Sequence, residues 1–185
     1  MSRKYKFRDQ DKLYFVTFSV VDWVDVFTRR IYKDILIDSM RYCQENKALE
    51  LYAYCIMTNH AHMIIGQAGG ANIEHIVRDM KKYTSFEITS AIESNDRESR
   101  KDWMLRMFEY NGRKNPNNKK YQFWQQHNQP LELNTNELMQ QKLDYIHQNP
   151  VKTGIVLSPE EYLYSSAKNY YGLAHEALLD VIIIE

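Results

Sequence analysis

Cysteine is nearly absent from this chain of 185 residues. Cys43 and Cys55 are its two thiols, and neither belongs to a Cys-x-x-Cys pair, so a zinc ribbon and a secreted disulfide framework both lose support. A reducing cytoplasm fits that usage. Long hydrophobic runs are missing too: the longest apolar stretches fall far short of the roughly 20 residues a membrane span requires, and the basic N-terminus leads straight into polar residues. The expectation is a cytoplasmic, nucleoid-associated protein with no membrane partner. No internal repeat occurs and no linker is long enough to divide the chain, so residues 1–185 are taken as one domain. A domain of this size buries roughly 70% of the surface its unfolded chain exposes and needs no covalent staple.

Net charge is also lacking, with 24 basic residues against 24 acidic ones, but the distribution is uneven. From Arg97 to Lys120 eight basic residues (Arg97, Arg100, Lys101, Arg106, Arg113, Lys114, Lys119, Lys120) face three acidic ones (Glu98, Asp102, Glu109). Their excess is a footprint that phosphate backbones select, although a charge run alone is more often a solvated face. The C-terminal segment leans acidic. Fourteen tyrosines and three tryptophans add possible stacking platforms for unpaired bases, most of them expected to be half-buried core residues.

Periodicity supplies the element order. Leu13–Val20 is β-branched and aromatic, a first strand, and residues 31–46 carry apolar side chains at helical spacing. Strands over Glu50–Met57 and His60–Gly66 flank the short turn Thr58-Asn59 and form an antiparallel hairpin. Gly66, Gly69 and Gly70 precede a helix over about 72–91. This β-α-β-β-α order predicts an α+β, two-layer, ferredoxin-like or RRM-like antiparallel sheet with helices on one face. Tyr121–Gln126 is the candidate fourth strand, after a helix near Lys101–Tyr110. A last helix begins at Asn134 or Thr135, with Asn134 as cap and Glu137 completing a capping box, and ends at Pro150.

Two constellations carry chemistry. His60 and His62 stand two positions apart on a strand, so their rings project from one face and can reach one metal ion. Tyr145 and Asn149 stand four apart on the last helix and share its face. His147 falls two positions from Tyr145 and points away, which makes it structural or DNA-facing.

Three stretches together, Met57-Thr58-Asn59-His60-Ala61-His62-Met63-Ile64, Tyr145-Ile146-His147-Gln148-Asn149-Pro150-Val151, and Pro159-Glu160-Glu161-Tyr162 with Ser165-Ser166-Ala167, resemble the single-tyrosine HUH transposases. The closest likeness is to the REP-associated tyrosine transposases, relatives of the insertion sequence 200 group. The resemblance implies that His60, His62 and Asn149 are metal ligands and Tyr145 the catalytic nucleophile. It implies Mg²⁺ or Mn²⁺, since two imidazoles alone would suit Zn²⁺ or Ni²⁺ as well. A phenol, with an ordinary pKa near ~10, gains from a cation that stabilises phenolate character. The implied activity is a metal-dependent single-stranded DNA endonuclease and strand transferase, working at hairpin or REP-type repeats through a 5′-phosphotyrosine intermediate.

Candidate phosphate contacts are Arg3, Lys4, Arg78, Lys81, Lys82, Arg113, Lys114, Lys119 and Lys120, with Tyr121, Phe123 and Trp124 as possible base platforms. Two other readings stay open: a domesticated protein that binds repeats without cutting, and an RRM-like RNA-binding module, whose aromatic signature on the third strand is replaced by His60 and His62. The family includes monomers and homodimers that exchange the tyrosine helix. A helix far from the third strand in the same chain would require a partner.

Overall fold

Alternating burial along the first strand shows how the sheet is built. In a computed structural model, which describes residues 7–116, 120–126 and 129–184, β1 (Tyr14–Ser19) buries every second side chain. It pairs antiparallel with β3 (His60–Gln67), which pairs antiparallel with β2 (Leu49–Ile56), while the short β4 (Leu131–Glu132) pairs with the other edge of β1. The order is β2-β3-β1-β4. Helix α1 (Arg30–Lys47) links β1 to β2, and α2 (Ile73–Ser94) follows β3, giving the expected ferredoxin-like α+β arrangement. Then come α3 (Lys101–Arg113), α4 (Asn136–Lys152) and α5 (Ala167–Tyr170).

The register sorts side chains onto two faces. Thr17 lies opposite His62 and Ser19 opposite His60, so Phe15, Thr17, Ser19, His60, His62 and Ile64 share one face. Val16, Phe18, Ala61, Met63 and Ile65 point the other way and are wholly buried. That second face is covered by α2: Lys81 Nζ lies 5.0 Å from the Phe18 ring centroid, and Trp124, 5.5 Å from Phe18, donates its indole N–H to Thr84. Helix α1 packs beside α2 and against β2. The first face receives α4, whose Tyr145 ring lies 6.0 Å from Phe15.

Two expectations need correction. Tyr121–Gln126 is not a strand: Trp124 makes one isolated bridge to Val20, and β4 lies later, at Leu131–Glu132. Phe123 and Trp124 both pack against Phe27, so consecutive side chains enter the same core instead of alternating between faces. Gly112 of α3 lets this return segment close in, since a Cβ there would meet the Lys120 carbonyl oxygen at 2.2 Å. Helix α4, for its part, starts one residue later and runs through Pro150. Thr135, not Asn134, accepts the Leu138 N–H as the cap, and Glu137 forms no capping box there. Pro150 falls in the last turn, where the missing N–H leaves one carbonyl unbonded and the helix still reaches Lys152. The Pro150 carbonyl is itself taken by Ile155 N–H at 2.9 Å.

Candidate functional site

His62 is buried, and burial, with the nearby His60 and Lys142, pushes its imidazole pKa down to about 3. His60, half-buried, is lowered in the same direction by burial. Both rings are therefore neutral at neutral pH and hold a lone pair each. Which nitrogen carries it follows from the partners. Asn59 donates through Nδ2 to the Trp23 carbonyl (3.2 Å) and to Asp25 Oδ1 (3.0 Å). Its Oδ1, which can only accept, faces His60 Nδ1 at 2.7 Å, so Nδ1 bears the proton and Nε2 is left with the lone pair.

The second ring is held in the same way. His62 Nδ1 meets the Thr17 hydroxyl at 2.8 Å, and its Nε2 is buried with no hydrogen-bond partner. A buried ring nitrogen without a partner costs about 1–3 kcal/mol, a cost that a ligand or an ordered water there would offset. The two imidazole centroids stand 4.6 Å apart.

Helix α4 brings the distant residues here. The Tyr145 ring lies 5.0 Å from that of His62, its side chain 40% exposed. One turn on along the same helix, Asn149 is buried. Among the described residues no group of three or more His, Cys, Asp or Glu side chains could hold a metal. An amide oxygen is the kind of donor that a hard divalent cation accepts beside imidazoles. The donor set fits: two neutral imidazoles with partnered Nδ1 atoms, one of them with a buried Nε2 that has no partner, and the amide of Asn149 one turn beyond Tyr145.

The structure adds a cation that sequence reasoning missed. Lys142 Nζ lies 5.7 Å from the Tyr145 ring centroid and 5.0 Å from that of Phe15. Its position three residues before Tyr145 and seven before Asn149, all on one helix face, was the available signal. His147, on the opposite side of α4, is buried against Ser166 Oγ at 2.9 Å and is structural.

Other expected contacts scatter. Arg3, Lys4 and Lys119 lie outside the described residues. Arg78, Lys81 and Lys82 belong to α2, on the layer opposite the histidines; Arg78 pairs with Asp79, and Lys81 turns inward to donate to the Gln125 carbonyl. Those three cannot border the Tyr145–His62 cluster, because the sheet lies between. Arg113 pairs with Glu109 and Lys120 with Glu93, while Lys114 sits 3.8 Å from the centroid of the exposed Tyr110 ring. Phe123 and Trp124 are core, so neither can stack on a base, and the half-buried Tyr121 donates its hydroxyl to Glu93.

Comparison with known proteins agrees with this geometry. Residues 13–109, more than half of the chain, match the profile of the IS200-like transposases, and the chain belongs to that family. The match includes His60 and His62 and stops before α4. In fold the protein is similar to a REP-associated tyrosine transposase solved bound to a REP hairpin, with 18% identity, coverage of 94% of this chain and 88% of that one, and a TM-score of 0.64. A candidate transposase from Deinococcus radiodurans R1 covers 78% of this chain and 95% of its own at 18% identity, with a TM-score of 0.46. No curated protein matches in sequence. Among the described residues no helix is long and apolar enough to cross a membrane.

Proposed function

We propose that the protein is a metal-dependent single-stranded DNA transposase that nicks and rejoins DNA at hairpin or REP-type repeats through Tyr145. One observation carries this reading: the Tyr145 ring lies 5.0 Å from His62, whose buried Nε2 has no partner. His60, His62 and Asn149 hold Mg²⁺ or Mn²⁺. The bound cation supplies Lewis-acid polarisation of the scissile phosphate.

The chain's own residues do the rest. The Tyr145 oxygen attacks phosphorus, the bond from phosphorus to the 3′ oxygen breaks, the phenolic proton passes to water, and the departing oxygen is protonated to a 3′-OH. A 5′-phosphotyrosine link results. Attack by a 3′-OH on that link reverses the sequence and rejoins strands without an external energy source. Lys142, beside Tyr145, supplies a positive charge for a phosphate oxygen. Asn59 and Thr17 hold the two imidazoles through their Nδ1 atoms, which would leave each Nε2 for a cation.

Hairpin DNA is the first substrate to test, since a transposase of similar fold was solved with one. Protein is incubated with Mg²⁺ or Mn²⁺ and end-labelled single-stranded hairpin oligonucleotides carrying repeats from its own genome, and denaturing gels are read for a covalent adduct. An adduct that Tyr145→Phe abolishes and chelation prevents is the expected result. Its absence from every such oligonucleotide with either metal overturns the catalytic reading.

A further inference from the structure

An exposed tryptophan on a loop is ordinary by itself. Trp23 differs in how it is held. It lies between β1 and α1, 55% exposed, and both it and Asp22 adopt the left-handed backbone region at φ 54° and 51°. Neither is glycine, so each pays a steric cost that a relaxed turn would avoid. The surroundings enforce it: Asn111 of α3 donates to Asp22 Oδ2 at 2.6 Å, Asn59 donates to the Trp23 carbonyl, and Arg100 donates to the Asp25 carbonyl at 2.7 Å. Arg100 is itself bonded to the buried Glu98.

The bracing fixes the indole against the histidine pair. Its ring centroid lies 5.9 Å from that of His60, the planes at 80°. One carboxamide, that of Asn59, bonds both the Trp23 carbonyl and His60 Nδ1, so the two rings are positioned together. An aromatic surface set beside a phosphoryl-transfer site meets the flat part of the substrate, which is a base.

We propose that Trp23 is the stacking platform for an unpaired base adjoining the scissile phosphate, and that this contact helps the site select single strands. A base within a duplex already has both faces covered and cannot use it. The inference rests on the phosphoryl-transfer reading of His60, His62 and Tyr145.

Two variants and one series of DNAs test it. Binding is measured by anisotropy on single-stranded hairpin oligonucleotides, intact or with one abasic position moved along the strand near the hairpin foot, and adduct formation is followed in parallel. Trp23→Gly removes the indole and also relieves the left-handed strain, so its melting temperature should stay level or rise while binding weakens roughly 5- to 100-fold. Trp23→Phe should retain most of the affinity. At one abasic position the wild type should lose a similar factor and Trp23→Gly should lose no more, the non-additivity expected of two partners in one contact. A wild-type protein that forms the adduct while Trp23→Gly binds all the DNAs equally well overturns the stacking proposal alone. If the wild type forms no adduct and binds no single strand, the functional reading falls and the stacking proposal with it.

Discussion

Asn59 occupies the position on which the site's geometry turns. Its carboxamide donates to Trp23 and Asp25 and accepts from His60, so one side chain sets the tautomer of the His60 ring and the place of the loop beside it. Replacing Asn59 with Ala frees the His60 ring without touching any proposed ligand atom. Partners of this kind are worth 10- to 100-fold in metal affinity, so Asn59→Ala should weaken Mn²⁺ binding by about 10-fold in a calorimetric titration, with thermal stability little changed. An unchanged affinity would show that His60 is held by packing alone. Asn59 was legible in the sequence only as a turn residue, because its acceptors lie 34 and 36 positions earlier in the chain. Lys142 escaped notice for the opposite reason: its signal was local, but nothing in the sequence distinguishes a helix lysine that meets a tyrosine ring from one that meets water.

Helix α4 works on two sides. Tyr145 meets the sheet face that carries the histidines, while His147 anchors the helix to the C-terminal segment, which bridges β2 through Cys55 and Ser165. Ser166 is the joint: its hydroxyl accepts the Tyr54 N–H at 2.9 Å and meets His147 Nε2 at 2.9 Å. Burial lowers the His147 pKa to about 4, so the ring is neutral, and the Ser166 hydroxyl also lies 3.3 Å from the Tyr54 carbonyl oxygen. Ser166→Ala leaves a buried amide and a buried imidazole nitrogen unpaired and should destabilise the fold by about 2–3 kcal/mol in chemical denaturation. The same element shows where local signals mislead. Pro150 reads as a stop, yet a proline in the last turn sacrifices only one carbonyl bond, and the packing of Ile146 and Asn149 carries the helix past it.

At the scale of the whole molecule, the tyrosine helix reaches the third strand within its own chain. No partner copy is needed to complete the cluster. Mixing Tyr145→Phe with His62→Ala protein should therefore give no more adduct than either variant alone; recovery of adduct in the mixture would mean that the helix is exchanged between copies in solution. The layers also divide the positive charge. The α2 cations Arg78 and Lys82 are separated from the histidines by the sheet, while among the described residues Lys142 borders the tyrosine, a division that counting basic residues along the chain does not reveal.

The sequence by itself determined the β-α-β-β-α order, because alternation and helical spacing are local, and with it the pairing of His60 with His62 on one strand face. It also placed Tyr145 and Asn149 one helical turn apart. Tertiary structure decided what no local pattern encodes. The return segment at Tyr121–Gln126 packs as an irregular run because both Phe123 and Trp124 find apolar cover. The proposed base platform moved from those residues to Trp23, held in a strained backbone by bonds from α3 and Asn59. Most of all, the approach of α4 to β3 depends on long-range packing and on hydrogen bonds between segments remote in the chain. That approach sets the ring of Tyr145 against the ring of His62.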